Sequence, residues 1–471
     1  MRTKQTGQLG RRDFLELSAA GGLGLLASSL ASAQFEGQVR PNLILIVADD
    51  LGNHDLGCQG GTEIPTPNID SFAAGGVRFT NGYVSCPVCS PTRAGLLTGR
   101  YQQRFGHEFN PGPIGSEGLD RETFGLPLDQ TTIADHLKKA GYKTGLVGKW
   151  HLGLAEKFHP CNRGFDEYFG FLHGSHPYLD LLNPKHEPIY RNFEKVEETA
   201  YLTDAFARES VAFIERHKAG PFFLYLSFNA VHSPMEATPK YLDRFPNIKD
   251  EKRRKYAAML SAMDDAVGAV LDKLRSENLI ENTLIAFISD NGGPTPNNAS
   301  DNGIYRATKG TVYEGGIRVP YILHWPARLP KGKTINAPVI SLDLLPTFLA
   351  ASGQKPAEGT FDGVDIFGHA MGEAKEPAHE ALFWRFGTRK AIRKGNWKML
   401  RRADNPWELY DLAKDPGETT DLASKEEQVK SSLLTAYTEW EKGLIAPKWG
   451  GRGVQKWQEE EENRPPKPRK G

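Results

Sequence analysis

Pro41-Asn42-Leu43-Ile44-Leu45-Ile46-Val47-Ala48 is a continuous apolar run that ends directly in two acids, Asp49 and Asp50. A run without polar alternation is typical of a strand buried on both faces, as in the middle of a parallel sheet. In open α/β sheets, ligands bind beyond the carboxyl ends of the strands. The stretch therefore predicts a central strand followed by two candidate ligand residues, although acids at a strand end are also common as turn formers and helix caps.

Two further apolar runs have the same form. They cover residues 221–228 and 283–289, and the second leads directly into Asp290 and Asn291. Apolar residues at helical spacing predict helices between the strands, one of them with a buried stripe that includes Met259. Strands that alternate with helices in this way predict an α/β fold, in which helices sandwich a large, mostly parallel central sheet.

The chain changes character after residue 370. Short strand-like runs separated by turn residues cover residues 382–385, 390–393, 397–400 and 408–412, and a helix is predicted over 424–442. This pattern predicts a smaller C-terminal α+β subdomain with an antiparallel sheet. The predicted divisions are an N-terminal segment over 1–33, a main domain over 34–370, the subdomain over 371–447 and a tail over 448–471. The acidic, proline-rich tail cannot bury much apolar surface, so we expect it to be disordered.

Charge and composition exclude several functional classes. The 58 basic and 58 acidic residues of the 471-residue chain cancel, so no global field attracts nucleic acid or an anionic membrane. We therefore expect no nucleic-acid partner, and an anionic substrate must be held by a local pocket. With 4 cysteines the chain is not a disulfide scaffold, although Cys58, Cys86 and Cys161 could include one bridge.

The N-terminus has the form of an export signal. Arg11 and Arg12 precede a modest apolar run that ends in Ala31-Ser32-Ala33, as in a twin-arginine signal peptide with an A-x-A cleavage site. The run is too short to span a membrane, and its glycines disfavour the alternative of a buried helix. We expect a mature protein that begins near Gln34, has no membrane anchor and lies in the periplasm or outside a bacterial cell.

A second short stretch brings unusual residue types together at fixed spacing. Cys89-Ser90-Pro91-Thr92-Arg93 comes just before the turn Thr98-Gly99-Arg100. With Cys86, Cys89 also forms a C-x-x-C, which alone would indicate a reactive thiol pair or half of a zinc site. The sequence has no second C-x-x-C, and the residues after Cys89 are specified well beyond what a thiol pair needs. The stretch is expected to open a helix, whose free backbone N–H groups favour an anion.

The Cys89 string closely resembles the C-x-P-x-R signature, with its trailing T-G-R, of the type I sulfatases, an arylsulfatase-like family of the alkaline phosphatase superfamily. In that family the cysteine is oxidised to formylglycine (3-oxoalanine), so Cys89 would be a modification site before it becomes a nucleophile. The resemblance runs from Pro41 to the stretch around Leu412. It implies the fold predicted above, with a catalytic domain over residues 34–370, and a sulfuric ester hydrolase.

The resemblance also implies a metal site. Hard cations such as Ca²⁺ and Mg²⁺ select oxygen ligands from Asp and Asn side chains. In the family pattern, Asp49, Asp50, Asp290 and Asn291 would bind one Ca²⁺, with the modified Cys89 as a further oxygen ligand.

Five basic residues complete the catalytic set that the resemblance implies. They are Arg93, Lys149, His151, His232 and Lys309. A lone His or Lys is more often structural or exposed to solvent, but five in register with the family are hard to explain in that way. Positive groups around a sulfate ester stabilise the charge that moves in the transition state.

The implied mechanism uses hydrated formylglycine as the nucleophile. One hydroxyl of its geminal diol attacks sulfur in line, displaces the alcohol and forms a covalent sulfate ester. Lys309 and His232 would contact the sulfate and protonate the departing oxygen. His151 would take the proton from the second hydroxyl, and collapse to the aldehyde then expels sulfate. Arg93 and Lys149 would orient the diol.

Export and one segment bear on the substrate. Residues 170–178 are rich in groups that bind sugars, and their place resembles a substrate loop of carbohydrate sulfatases, so His176 and Tyr178 are candidate substrate contacts; an ordinary surface loop is the alternative. An exported enzyme fits a sulfated glycan or polysaccharide. Small aryl sulfate esters, phosphomonoesters or phosphonate esters, and a glycan-binding protein without turnover are the alternatives.

The export route also orders the events at Cys89. Twin-arginine export carries folded proteins, whereas the enzymes that generate formylglycine act on a chain that has not yet folded. We therefore expect a formylglycine-generating, or sulfatase-maturating, enzyme as a partner, and oxidation of Cys89 before folding and export.

Overall fold

The apolar run after Pro41 forms a central strand of a large sheet. In the computed structural model, which describes residues 40–111, 120–450 and 462–463, this strand (β1, Asn42–Ala48) is buried along its whole length. Its side chains alternate between two cores, with Ile44 and Ile46 in one and Leu43 and Leu45 in the other. Both faces of the strand pack against apolar side chains, which explains why the run contains no polar alternation.

Sixteen strands are present in the described residues. In chain order the other fifteen are β2 (Val77–Phe79), β3 (Gly82–Tyr83), β4 (Lys143–Lys149), β5 (Glu167–Phe171), β6 (Ile189–Arg191), β7 (Glu194–Val196), β8 (Phe222–Ser227), β9 (Thr283–Ser289), β10 (Tyr321–His324), β11 (Lys333–Ile335), β12 (Val339–Ile340), β13 (Leu382–Phe386), β14 (Arg389–Lys394), β15 (Trp397–Arg401) and β16 (Glu408–Asp411). Ten of these form one mixed sheet in the order β11-β2-β10-β9-β1-β8-β4-β5-β6-β7. Its centre, from β9 to β5, is parallel.

The α-helices cover both faces of this sheet. In the described residues they are α1 (Pro67–Gly75), α2 (Cys89–Thr98), α3 (Ile133–Lys139), α4 (Leu202–His217), α5 (Pro239–Leu242), α6 (Glu251–Ser276), α7 (Thr295–Asn298), α8 (Glu314–Ile317), α9 (Leu344–Ala351), α10 (Phe367–Met371) and α11 (Glu427–Glu441). Helices α1, α4 and α6 bury their apolar faces in one core, and α2, α3 and α9 bury theirs in the other. The predicted α/β sandwich is confirmed, and Met259 of α6 is a core residue.

The C-terminal part forms the predicted antiparallel sheet. Strands β13 to β16 pair in sequence order, and α11 packs on β14 and β15 around Leu433 and Tyr437. Trp384 of β13 packs against Tyr83 of β3, and its indole N–H donates to the Val84 carbonyl, so the C-terminal sheet packs against the separate two-stranded sheet of β3 and β12. The predicted boundary at residues 370 and 371 falls within α10.

Two tail residues do not fit the expectation of disorder after residue 447. Trp449 is buried against the rings of His107 and Phe124, and its indole N–H donates to the Phe109 carbonyl at 2.9 Å. Glu462 forms a two-oxygen ion pair with Arg389. The rest of the predicted tail, residues 451–461 and 464–471, lies outside the described residues.

The described residues from Pro41 onward form one compact unit. The predicted signal peptide and cleavage site lie outside the described residues. In the described ranges, no helix combines the length and the apolar character needed to cross a membrane. All four cysteines are free, so the bridge considered for Cys58, Cys86 and Cys161 is not formed.

Candidate active site

Neighbouring strands bring the two acid clusters to the same edge of the sheet. β1 and β9 are parallel, and Ala48 lies opposite Ser289, so the residues that follow each strand are adjacent. The backbone N–H of Asp50 donates to Oδ1 of Asp290 at 3.4 Å, and Nδ2 of Asn291 donates to Oδ1 of Asp50 at 2.7 Å. The four predicted metal ligands therefore lie close together and are all buried: Asp49, Asp50, Asp290 and Asn291.

Cys89 is the first residue of α2 and points into this cluster. Val88 is extended and caps no N–H with its side chain; the next N–H in the first turn, that of Ser90, donates to Oδ1 of Asn110 at 2.9 Å. The Cys89 thiol donates to Oδ1 of Asp49 at 3.4 Å, and the Lys309 ammonium lies 3.1 Å from Sγ. Burial, reinforced by the charges of Asp290 and Asp49, raises the pKa of the Cys89 thiol far above its ordinary value.

Arg93, one turn further along α2, holds the second strand end in place. Its guanidinium binds Oδ2 of Asp290 through Nε at 3.0 Å and Nη2 at 2.7 Å. Nη1 donates to the hydroxyls of Ser227 and Tyr225. Burial opposes its charge, but Asp290 and the other acidic groups around it, Asp49 among them, together outweigh burial, so the pKa of Arg93 is raised and the residue stays positive. The spacing of four between Cys89 and Arg93 places both on one face of the helix.

Two lysines neutralise the paired acids. Lys149, at the end of β4, binds Oδ2 of Asp49 at 2.5 Å, and Lys309 binds Oδ1 of Asp50 at 2.5 Å. Burial would raise the pKa values of both carboxyls, but the surrounding positive groups, Lys149 foremost at Asp49 and Lys309 at Asp50, together outweigh it and lower them. Asp49 and Asp50 are therefore carboxylates despite complete burial.

Both predicted histidines border the cluster. Nε2 of His232 lies 3.6 Å from Oδ2 of Asp50, and its Nδ1 is 2.6 Å from the Ser233 carbonyl. Nδ1 of His151 is buried without a hydrogen-bond partner in the described residues. Burial and the nearby charge of Lys149 hold the pKa of His151 well below its usual range, so its imidazole is neutral and able to accept a proton.

The residues present fit a hard cation. Oδ1 of Asn291 is buried and accepts no hydrogen bond from the described residues, which leaves its lone pairs available to a cation. Ligand atoms of Asp49, Asp50, Cys89 and His232 all lie within 4.8 Å of one another. Three carboxylates and an amide oxygen are the donor set that Ca²⁺ prefers.

A cavity of about 1300 Å³ opens above Cys89. His151, His232 and Lys309 line its floor with Cys89, and Phe386 and Arg389 of the C-terminal part line one side. The five basic residues predicted from sequence thus surround the acid cluster, and three of them face the cavity.

The structure does not support Tyr178 as a substrate contact. Its side chain is fully buried, and its hydroxyl donates to the carbonyls of Asn229 and His232. His176 lies in the cavity wall, but its two ring nitrogens are occupied by the carbonyls of Pro177 and Glu187. Burial of their polar atoms gives both residues the role of holding loops beside the site.

Sequence reasoning missed Asn298 and Ser227. Nδ2 of Asn298 binds the carbonyls of Asp50 and Val231, which ties the metal loop to the His232 loop. The Ser227 hydroxyl joins Arg93 to the Lys149 carbonyl. The polar end of the run 221–228 was a signal for Ser227, whereas nothing in the sequence around Asn298 indicates its contact with Asp50.

The thiol-pair interpretation of Cys86 fails. Cys86 is buried, its Sγ contacts the Glu108 carbonyl at 3.9 Å, and burial raises its pKa well above the ordinary value. A reactive pair requires a lowered thiol pKa and access.

Comparisons with known proteins agree with this geometry. The family model described as Sulfatase matches residues 41–354, and a model described as N-sulphoglucosamine sulphohydrolase, C-terminal, matches residues 303–439. N-acetylgalactosamine-6-sulfatase of Canis lupus familiaris is 34% identical over 420 residues, which cover 84% of this chain and 79% of that protein. Arylsulfatase A of Homo sapiens is 34% identical over 452 residues, which cover 84% and 85%.

Solved structures give the same result. The crystal structure of Ps i-CgsB in complex with k-i-k-neocarrahexaose has a TM-score of 0.83 and 38% identity, and covers 88% of this chain and 95% of that one. PsFucS1 sulfatase from Pseudoalteromonas sp. has a TM-score of 0.74 and 26% identity, and covers 90% and 94%. Fold, site and sequence agree: this chain belongs to the type I sulfatases of the alkaline phosphatase superfamily and is a sulfuric ester hydrolase.

Proposed function

We propose that this sulfatase releases inorganic sulfate from a sulfated carbohydrate, with formylglycine made from Cys89 as its nucleophile and one bound Ca²⁺. The observation that carries the proposal is the position of Cys89 on the floor of a large cavity, between the Asp49 carboxylate and the Lys309 ammonium. In a sulfate ester bound above Cys89, the nucleophile at position 89 would face the sulfur, and positive groups would contact the sulfate oxygens.

Each site residue has a role that follows from its contacts. Asp49, Asp50, Asp290 and Asn291 would hold the Ca²⁺, which when bound polarises the sulfate oxygens. Lys309 lies beside both Asp50 and Sγ of Cys89, so its ammonium can bind the sulfate group.

Proton transfer would fall to the two histidines. His232 lines the cavity and is placed to protonate the departing sugar oxygen, together with Lys309. His151, also in the lining, is placed to take a proton from the hydroxyl at position 89. Arg93 and Lys149 do not line the cavity; they fix Asp290 and Asp49 from below and so orient the group at position 89.

The carbohydrate class is supported by the relatives. Ps i-CgsB, at 38% identity, was crystallised with k-i-k-neocarrahexaose, and the name N-acetylgalactosamine-6-sulfatase also specifies a sulfated sugar. A cavity of about 1300 Å³ exceeds the roughly 300–1,000 Å³ typical of small-molecule pockets, which favours a substrate larger than a simple aryl ester.

The test has two measurements. Mass spectrometry of the peptide that contains Cys89, after co-expression with a sulfatase-maturating enzyme, should detect formylglycine. The matured protein should release sulfate from members of a panel of sulfated polysaccharides and oligosaccharides, whereas the Cys89→Ala variant should release none. Unmodified thiol throughout, together with no sulfate release from any ester, would refute the proposal.

A second candidate is hydrolysis of small aryl sulfate esters. It is supported by the 34% identity to arylsulfatase A. Comparison of kcat/KM for 4-nitrophenyl sulfate with kcat/KM for the best oligosaccharide separates the two candidates. The same assays with matched phosphate esters test the wider superfamily, and a large preference for phosphate would replace both with a phosphoester hydrolase.

We also propose export to the periplasm or the outside of a bacterial cell by the twin-arginine route. The support is the sequence: Arg11 and Arg12, the apolar run and the A-x-A site that ends at Ala33. Cell fractionation and N-terminal sequencing should find a mature chain that begins near Gln34. The Arg11→Lys/Arg12→Lys variant should stay in the cytoplasm; its normal export would contradict this route.

A further inference from the structure

The lining of the cavity includes basic side chains that the proposed reaction does not use. We call this set the basic wall; it consists of Arg121, His173, Lys185, His186 and Lys195, all of which line the cavity. The chain as a whole has equal numbers of basic and acidic residues, so this concentration is a local property.

The basic wall lacks the ion pairs that are common elsewhere on this protein. Within residues 40–111, 120–450 and 462–463, Arg121, Lys185 and Lys195 form no ion pair, whereas Lys157 and Lys218 on other surfaces each bind a glutamate. Cations left unpaired at a cavity surface keep a positive potential that attracts an anion.

Hydrogen bonds between the side chains of Glu187 and His176 and the backbone hold the part of the basic wall that contains His173, Lys185 and His186. Glu187 accepts the N–H groups of Leu172 at 2.9 Å and His173 at 2.8 Å, and Nε2 of His176 lies 2.7 Å from the Glu187 carbonyl. These bonds join the segment before β6, which bears Lys185 and His186, to the segment after β5. Both carboxylate oxygens of Glu187 are thereby occupied by the backbone.

The basic wall begins directly beside the reaction site. A Cβ added at Gly174 would lie 2.5 Å from Nε2 of His151, so the segment that follows His173 passes against this catalytic imidazole. Arg121, Lys185 and Lys195 line the same cavity as Cys89, so an anion bound by them would share that cavity with the group bound over Cys89.

We propose that the basic wall is a subsite for a second anionic group on a sugar next to the one that carries the scissile ester. The substrate is then an oligosaccharide or polysaccharide with more than one anionic group, for which a second sulfate is the probe. This inference rests on the proposed function, because it requires a sulfated sugar at Cys89. His176 and Tyr178 serve the subsite only by holding its loops.

The size of the effect follows from exposure. Arg121, Lys185 and Lys195 are exposed side chains, and exposed ion pairs contribute modestly and are screened by salt. We expect loss of all three charges to lower kcat/KM about tenfold for a substrate with the second sulfate at low ionic strength, mainly through KM.

The experiment compares two variants on paired substrates. The first is Arg121→Gln/Lys185→Gln/Lys195→Gln, and the control is Lys331→Gln/Lys355→Gln/Lys425→Gln, which removes three charges at exposed positions that do not line the cavity. The paired substrates are oligosaccharides that share the scissile sulfate and differ only in a second sulfate on the adjacent sugar. Each kcat/KM is measured at low and high salt, and binding of both substrates to the Cys89→Ala form of each variant is measured by calorimetry.

The outcomes separate this inference from the proposed function. The inference predicts that the wild type prefers the substrate with two sulfates. The first variant should lose this preference and the salt dependence of kcat/KM, while its kcat/KM for the single-sulfate substrate stays within twofold of the wild type. The control should keep the preference and the salt dependence. Equal losses on both substrates, or a wild type with no preference, would overturn the inference while sulfate release still supports the proposed function. A wild type that releases no sulfate from any substrate would overturn both.

Discussion

At the residue scale, the site contains strained backbone at two of its working positions. Asp50 and His151 both have φ of 63°, in the left-handed region where side chains other than glycine cost about 1 kcal/mol or more. The strain is sustained by hydrogen bonds: Nδ2 of Asn298 binds the Asp50 carbonyl, and the His151 N–H donates to the Leu172 carbonyl at 3.0 Å. Strained backbone of this kind is concentrated at functional sites, where it directs a side chain in a way that a relaxed backbone conformation would not allow.

Gly174 tests how closely His151 must be placed. A Cβ at position 174 would lie 2.5 Å from Nε2 of His151, so Gly174→Ala should displace the imidazole and lower kcat by about 10- to 100-fold. The control is Gly220→Ala, because a Cβ there would meet nothing within 4 Å. Steady-state kinetics and thermal melting of both variants make the comparison. A Gly174→Ala enzyme with wild-type kcat would show that His151 has room to move without consequence.

Asn291 tests the metal site. Its Oδ1 is a buried acceptor with no partner in the described residues, so Asn291→Leu should weaken Ca²⁺ binding while it keeps the volume of the side chain. We expect added Ca²⁺ to raise the Tm of chelator-treated wild type and to restore its activity, and both effects to shrink strongly in the variant. The exposed Asn247→Leu change is the control. Full activity of metal-free wild type would contradict the site.

At the element scale, the sequence predicts strands better than loops. The runs that form β1, β8 and β9 are continuous and apolar because both faces of each strand are buried. This pattern lies within each run and can therefore be recognised in the sequence. Their ends predicted the acid clusters because parallel neighbours end at one edge. The family signature supplied the basic set, which no periodicity would have revealed.

The roles of the loops could not be predicted, because they depend on contacts between residues that are far apart in the sequence. From its own segment, Tyr178 is predicted to bind a sugar, but its buried hydroxyl is hydrogen-bonded to carbonyls more than fifty positions away. Asn298 binds Asp50 at a separation of 248 positions. The basic wall is likewise assembled from segments around residues 121, 173–187 and 195, which no single stretch of sequence brings together.

The link between β5 and β6 predicts a dependence of stability on pH. Burial raises the pKa of Glu187 from an ordinary 4.5 to about 7, so the folded chain holds this proton more tightly than the unfolded chain does. Its contribution to the free energy of unfolding is fully present below about pH 4.5 and is lost as the pH rises through about 7. A shift of this size corresponds to about 3 kcal/mol.

The Glu187→Gln variant isolates this contribution. It should be less stable than the wild type at pH 5, because one oxygen acceptor for the backbone is replaced by an amide NH₂, and its stability should change less between pH 5 and pH 8. Urea unfolding at several pH values measures both slopes. Parallel slopes for the wild type and the variant would show that Glu187 titrates alike in the folded and unfolded chains.

At the scale of the whole molecule, a buried charged trio joins the C-terminal sheet to the catalytic loops. Lys398 of β15 binds Oε1 of Glu314 at 2.9 Å and Oε1 of Glu418 at 2.8 Å, and all three side chains have no exposure. Glu314 begins α8, and the Gly316 carbonyl in the same helix accepts the N–H of Gly292, the residue after Asn291. The small sheet thus supports the metal loop from behind.

Removal of the central cation should destabilise the entire fold. Lys398→Met leaves Glu418 without its cation in the interior, and we expect a loss of about 3–5 kcal/mol in the free energy of unfolding, in one cooperative transition. The double variant Lys398→Met/Glu418→Gln should recover part of the loss. Lys394→Met, which removes an exposed pair with Glu380, is the control and should change stability by less than about 1 kcal/mol. If denaturant unfolding gave the same midpoint for Lys398→Met and the control, the trio would have no structural role.

The burial of Cys89 has a consequence for any preparation of this protein. Cys89 is 1% exposed, at the bottom of the cavity, so once a molecule has folded with an intact thiol, an oxidising enzyme cannot draw that thiol into its own active site. Active and inert molecules would then be sorted once, during synthesis, and their proportion would persist through purification and storage. The specific activity of a preparation would then depend on the fraction of molecules oxidised at Cys89 during expression as well as on the chemistry of the site. Incubation of the folded protein with the maturation enzyme should leave the ratio of thiol to aldehyde unchanged.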